Sequence, residues 1–384
     1  MPSHLTQEQL MVQYMVREFS RKVLAESAME RDKTKAFPKE NVKKMADLGL
    51  MGMMIPTEYG GEGADTVSYV LALSEVAYSC ASTAVVMSVH NSIVCESILG
   101  FGTERQKKTF LPELCAGNMI GAFALTEPHA GSDPVAQSTT AVRDGDQYII
   151  NGTKRFITSG KNAGLVVVTA KTDESKRHKG ISAFIVEKNR SGLIVGEAED
   201  KMGLRASDTT DLIFNDCRVP VENLLGKEGE GFKLAMTALD GGRIGIAAQS
   251  VGVASAALDE AIKYAKNRDQ FGQPISKFQG LRWMIADMAT EIEAARQLML
   301  SAATMKDRKE NFTTQASMAK LFASEMANRV TEKALQIHGG YGFTKDYTIE
   351  RLYRDARVFT IYEGTSEIQR IVISNHMIKD KRKL

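Results

Sequence analysis

Phe123-Ala124-Leu125-Thr126-Glu127-Pro128-His129-Ala130-Gly131-Ser132-Asp133 marks the point where the sequence changes period, and the fold is read outward from it. On its N-terminal side, Met11, Met15, Phe19 and Val23 follow a Thr6/Gln9 capping box at helical spacing. Pro38 opens a second helix that Gly49 closes, and Ile55-Pro56-Thr57-Glu58-Tyr59-Gly60-Gly61 reads as loop. Further helices are predicted at about 66–80, 83–99 and 104–116, the last two parted by Gly100 and Gly102. On its C-terminal side, Val, Ile, Thr and Phe gather in short runs at 119–125, 139–142, 147–150, 154–158, 165–169, 181–186, 193–195 and 210–214. Asp144-Gly145 and Asn151-Gly152 supply hairpin turns, which suggests a small antiparallel barrel or sandwich. A glycine-rich exit, Leu225 to Gly231, restores the helical period.

Beyond that exit, Ile244, Ala248, Val251, Ser255, Leu258 and Ile262 mark one face of a long helix, slimmed by Gly245, Gly252 and Ala256. A second helix carries Leu281, Ile285, Met288, Ile292, Ala295, Leu298 and Met299. A third carries Met318, Leu321, Phe322, Met326, Val330 and Ile337, and stops at Gly339-Gly340. With a terminal helix these imply a four-helix bundle. The expected fold is mainly α with a central β domain: helices over 1–119, a β-barrel over 120–225 and the bundle over 226–384. A chain of 384 residues exceeds what one hydrophobic core usually supports, in keeping with that division.

Composition removes several function classes. A net charge of +2, with like charges massed only at Lys379-Asp380-Lys381-Arg382-Lys383, leaves no footprint for nucleic acid. No apolar run is expected to reach membrane-spanning length, and no signal or transit pattern precedes the first helix. Cys80, Cys95, Cys115 and Cys217 are scattered, as are the six histidines, so neither a disulfide framework nor a metal centre is indicated. A reducing cytoplasm fits best.

Five stretches can carry chemistry. In the opening one, Thr126 and Ser132 offer hydroxyls, and Gly131-Ser132-Asp133 can present backbone N–H groups to an anion or simply form a turn capped by Asp133. Arg155-Phe156-Ile157-Thr158 sets an aromatic and a hydroxyl at a strand end, either as a platform for a planar group or as buried structure. Arg268 offers a fork for phosphate oxygens or a surface salt bridge, and Asp240 and Arg243 stand at the entry to the long helix. Finally, Phe359-Thr360-Ile361-Tyr362-Glu363-Gly364-Thr365-Ser366-Glu367 places a carboxylate between aromatics and a helix start that Thr365 or Ser366 can cap. Partly stripped of water, Glu363 becomes a stronger base; the alternative is a loop end facing solvent. Neither a Rossmann glycine pattern nor a P-loop is present, so any dinucleotide is held another way.

In this order these segments resemble the acyl-CoA dehydrogenase family, nearest its short-chain branch. The likeness runs through 123–133, 156–158, 240–243, 268–272, 336–342 and 362–369. The resemblance implies FAD, an acyl-CoA substrate, electron-transfer flavoprotein as electron acceptor and a homotetramer. It places Phe123, Leu125, Thr126, Phe156, Ile157 and Thr158 around the flavin ring, and Ser132 at the pyrophosphate and the CoA. Arg268, Phe271, Gln279, Gln336, Gly339 and Gly340 would meet the ADP part, largely of a neighbouring subunit's cofactor. Thr365 and Glu367 would complete the cradle, while Asp240, Arg243 and Gly364 would hold substrate. Glu363 is then the catalytic base, with no rival Glu in Asp240-Gly241-Gly242-Arg243. Phe359, where short-chain relatives tend to have a small residue, and Gln249 suggest a short, branched or cyclic acyl group. The competing expectations are an enoyl-CoA reductase on the same scaffold, a flavin monooxygenase or oxidase, or an acyl-CoA-binding module without turnover.

Overall fold

The computed structural model describes residues 5–379; the remainder of the basic tail, 380–384, lies outside the described residues. The N-terminal helices are α1 (Gln7–Phe19), α2 (Ala25–Thr34), α3 (Lys39–Asp47), α4 (Thr66–Ser79), α5 (Ala81–Ser88), α6 (Glu96–Phe101) and α7 (Glu104–Cys115). Thr6 and Gln9 form a reciprocal capping box on α1, as do Thr103 and Gln106 on α7. A π-helical turn, Val89–Cys95, carries α5 straight into α6. The resulting helix, Ala81–Phe101, is 21 residues long and apolar enough to cross a membrane by length and composition. The sequence reading expected no such run. The helix is a core element, with 78% of its apolar window buried against other parts of the protein.

His90 on that π turn ties the helical unit to the strands. Its Nδ1 accepts from the Gly121 N–H at 3.1 Å, which leaves Nε2 to donate to the Leu114 carbonyl at 3.1 Å. Burial pushes its pKa down to about 4, so the ring is neutral.

The strands are β1 (Gly121–Ala124), β2 (Thr140–Asp144), β3 (Gln147–Thr158), β4 (Leu165–Lys171), β5 (Ile181–Glu187), β6 (Leu193–Ala198), β7 (Thr209–Pro220) and β8 (Leu224–Leu225). They form one sheet in the order β6-β7-β3-β2-β4-β5-β8, with β1 added to β4. Most pairings are antiparallel, but β1 and β2 each meet β4 in parallel, so the sheet is mixed. The Asn151-Gly152 turn expected from sequence does not form. Gly152 instead lies inside β3, where the register with β7 shifts between Ile150 and Gly152. Its φ of +147° and the overlap of any Cβ with Thr139 explain the glycine. The two short runs are therefore one bulged strand.

The C-terminal unit contains α8 (Gly231–Asn267), a small β9–β10 hairpin (Asp269–Gln270, Gln273–Pro274), α9 (Gln279–Asp307), α10 (Thr313–His338), α11 (Thr348–Ala356) and α12 (Ser366–Lys379). The single apolar face read for α8 is replaced by burial on all sides over 241–254. Neighbours surround it: α9, α10 and α11 from its own unit, and α4 and α5 from the N-terminal helices. Gly245 admits Ser88 and Gly252 admits the α4 backbone at Ser74, so the small residues serve close approach between units.

Candidate active site

Glu363 sits in the short link between the turn Arg357–Thr360 and α12, with φ at +52°. A non-glycine residue holds that left-handed conformation only where its surroundings impose it. Two fully buried side chains do so. Gln369 Nε2 donates to the carbonyls of Glu363 (3.3 Å) and Gly364 (2.9 Å), and Lys320 Nζ donates to the Gly364 carbonyl at 2.7 Å. Thr365 Oγ1 accepts from the Ile368 N–H at 3.3 Å and so begins α12.

The residue is half-buried, but both carboxylate oxygens are shielded and have no hydrogen-bond partner among the described residues. Burial raises the pKa to about 7, with Lys320 and then Arg243 pulling it part of the way back. Glu363 therefore does not face water. Its carboxylate lies over Gly242 of α8, where any Cβ would overlap Oε2 and Ile93 would be 3.2 Å away. Gly242→Ala should leave folding intact, because Ala favours a helix interior over Gly by about 1 kcal/mol. It should also displace the carboxylate and lower kcat about 100-fold. Parallel melting curves and steady-state rates check the pair of outcomes.

Neighbouring groups are fixed in turn. Arg243 Nη1 donates to Asp240 Oδ1 (2.6 Å) and Ser317 Oγ (3.4 Å), and Thr313 Oγ1 donates to Asp240 Oδ2 (2.7 Å). Arg243 Nε is buried without a partner among the described residues. Tyr362 OH donates to Gln249 Oε1 (2.6 Å), and Gln249 Nε2 donates to the Ala81 carbonyl (2.8 Å). Phe359 is fully buried and nearly parallel to the Tyr362 ring, 6.1 Å between centroids. This side of the site is therefore closed by a braced aromatic pair.

A second group of residues lies where the opening loop meets β3. The Arg155 N–H donates to the Thr126 carbonyl at 2.8 Å, which brings Thr126 beside Phe156–Thr158. Phe156 has φ +58° and leaves 56% of its surface exposed, with the Arg155 guanidinium 4.7 Å from its ring centre. Ile157, expected beside it, turns its side chain into the core of the sheet domain; successive strand residues point to opposite faces. Phe123, Thr126 and Thr158 are half-buried, Leu125 is buried and Ser132 is exposed. Asp133 Oδ1 accepts from the Val135 N–H at 3.2 Å, so the turn cap considered for it is present.

A third group closes the far end of the bundle. Arg268, Gly339 and Gly340 line a cleft of about 490 Å³ with Tyr264, His338 and Tyr341, and Arg268 lies 5.4 Å from the Tyr341 ring centre. Phe271, Gln279 and Gln336 are exposed near this end, Phe271 by 93%; Glu367 is exposed on α12.

Three models of the acyl-CoA dehydrogenase family match consecutive parts of the chain: the N-terminal domain over 6–118, the middle domain over 122–217 and the C-terminal domain over 229–378. The chain belongs to the acyl-CoA dehydrogenase family. The short-chain specific acyl-CoA dehydrogenase of Clostridium acetobutylicum is 51% identical, over 99% of this chain and 100% of the relative. The acryloyl-CoA reductase (NADH) of Anaerotignum propionicum is also 51% identical, over 98% of this chain and 95% of that one. The butyryl-CoA dehydrogenase of Megasphaera elsdenii has a solved structure that superposes with a TM-score of 0.96 at 45% identity, over 98% of this chain and 100% of that one.

Within this acyl-CoA dehydrogenase scaffold, sequence reading passed over Gly242, Lys320 and Gln369, which hold or face Glu363. A lysine inside the apolar run Met318-Ala319-Lys320-Leu321-Phe322 was the one available signal. It also passed over a buried pair beneath Thr126. Lys154 Nζ donates to Glu127 Oε1 (2.8 Å), Gln137 Oε1 (2.9 Å) and the Leu125 carbonyl (3.1 Å).

Proposed function

We propose that the chain dehydrogenates a short-chain acyl-CoA to the trans-2-enoyl-CoA with FAD as its cofactor, passing the electrons to electron-transfer flavoprotein. The observation that carries this reading is the shielded, unpartnered Glu363 carboxylate with its pKa near 7. A general base works best when its pKa lies near the operating pH. The chain's residues suit FAD: a half-exposed Phe156 ring beside Thr126 and Thr158 offers an aromatic wall and hydroxyls for a planar ring. The Arg268–Gly340 cleft offers a guanidinium and backbone groups for phosphate and adenosine. Phe271, Gln279 and Gln336, exposed in one chain, would be used if a homotetramer brings a neighbouring subunit's cofactor to them.

FAD bound there supplies the two-electron acceptor for the hydride that leaves the β carbon. Glu363 removes the α proton, the α carbon–hydrogen electron pair becomes the new π bond, and the carboxyl group carries the proton away. Arg243, whose buried Nε has no partner among the described residues, and Asp240 would orient the CoA thioester, with the Gly364 peptide and Ser132 beside it. Holding the long CoA tail provides binding energy that positions the reacting carbons. The packed Phe359–Tyr362–Gln249 set favours a short, branched or cyclic acyl group. The buried, unpaired cysteines suit a cytoplasmic setting.

Mixing purified, FAD-loaded protein with butyryl-CoA without oxygen tests the reading. Loss of flavin colour with formation of crotonyl-CoA is expected; colour unchanged by a panel of short, branched and cyclic acyl-CoAs would defeat it. The similarity to an acryloyl-CoA reductase favours one second reading, the same chemistry run toward the saturated thioester. Reoxidation of the reduced protein by crotonyl-CoA, compared with reduction by butyryl-CoA, distinguishes the working directions.

A further inference from the structure

Lys320 projects from α10 into the protein interior with none of its surface exposed. Among the described residues its ammonium makes one hydrogen bond, to the Gly364 carbonyl at 2.7 Å. A buried ammonium with three donors and one acceptor is costly unless an anion stands nearby. Three acidic groups act on it: Glu363, Glu367 and Glu325. Glu367 is exposed, and Glu325 is paired with Arg370 at 2.6 Å. That leaves the unpartnered carboxylate of Glu363 as its buried counter-charge.

Resting on the reading of Glu363 as the base, we propose that Lys320 is a positioning residue with two tasks. Its hydrogen bond clamps the Glu363–Gly364 link in its left-handed conformation, and its positive charge increases the share of the base that is ionised at neutral pH. The other groups facing Glu363 do not replace it. Arg243, from α8, is committed to Asp240 at 2.6 Å. Tyr69, from α4, and the adjacent Tyr362 are phenols whose pKa values burial drives up, so they stay uncharged. Lys320 itself is pushed down by burial to about 8, with Glu363 acting in the opposite direction, and so remains charged at pH 7.

The two tasks separate in two variants. Lys320→Gln keeps a donor for the Gly364 carbonyl and removes the charge; Lys320→Met removes both. In the FAD-loaded enzyme, both variants are expected to move the acid limb of kcat/KM with butyryl-CoA upward by about one pH unit, a tenfold loss at pH 6. Only Lys320→Met should also lower the high-pH plateau. A readout independent of turnover is the infrared titration of the 363 carboxyl in the cofactor-free proteins, isolated by difference against Glu363→Gln. It should move upward in the same two variants. Activity reduced equally at every pH, with both the limb and the infrared midpoint unmoved, would overturn the role of Lys320. A wild-type enzyme that no acyl-CoA bleaches would instead defeat the assignment of Glu363, and the infrared midpoint would still decide whether Lys320 sets its charge.

Discussion

Glu363→Gln is expected to lower turnover by about 10⁴-fold while the protein still binds FAD, because the α proton then has no acceptor. No glutamate competes in the Asp240-Gly241-Gly242-Arg243 segment of α8, and Asp240 is taken up by Arg243 and Thr313. The amide is nearly isosteric, so the Gln369 and Lys320 contacts to the backbone persist. In the wild type, kcat/KM should rise with pH through an ionisation near 7, where burial has placed this carboxyl. The same shift has a stability consequence. The folded pKa of about 7 lies above the 4.5 of a free glutamate, so the folded protein holds this proton more tightly than the unfolded chain. That stabilisation is fully present below about pH 4.5 and is lost as pH rises through 7. At pH 8 the buried charge costs on the order of 3 kcal/mol, and Glu363→Gln should therefore be the more stable protein there. Rapid-mixing flavin reduction and melting temperatures at pH 5 and pH 8 measure both effects. A variant that retains wild-type turnover would remove Glu363 from the mechanism.

Lys154→Met is expected to destabilise the protein by about 3–5 kcal/mol, because it strands Glu127 as a buried charge. The Lys154 side chain is 0% and that of Glu127 2% exposed, so water can replace neither partner. Glu127 also accepts from the N–H groups of Ser138 (2.5 Å) and Thr139 (3.0 Å), which pins the loop from Thr126 to Thr139 onto β3. Burial acts against the carboxylate, but the Lys154 charge and these donors outweigh it and hold Glu127 down to about 2. Its folded pKa lies below the 4.5 of a free glutamate, so this stability is present above pH 4.5 and is lost as pH falls toward 2. Urea unfolding of wild type and variant at pH 7 and pH 4 checks the size and the sign. Because the loop carries Thr126, weaker FAD retention should accompany the loss. A second replacement, Glu127→Leu, should recover part of the stability by removing the stranded charge.

Local pattern was enough for most elements. The capping pairs Thr6/Gln9 and Thr103/Gln106 start helices in the structure, and Gly339 ends α10. These are contacts within a few residues, so the sequence records them directly. Composition likewise placed the strands between two helical units. Pattern failed where a distant neighbour decided the conformation. Asn151-Gly152 has the residues of a hairpin turn, but the approach of Thr139 and pairing with β7 make it a bulge. The α8 face vanished because α4, α5, α9, α10 and α11 surround the helix.

The site divides in the same way. By itself the sequence determined that Glu363 precedes a capped helix, and family likeness set the expectation that it is the base, since both readings concern residues adjacent in the chain. Its proton affinity was decided by tertiary structure alone. Gly242, Arg243 and Lys320 arrive from helices far away in sequence, and desolvation and charge depend on distance in space. Spacing along a chain sets neither.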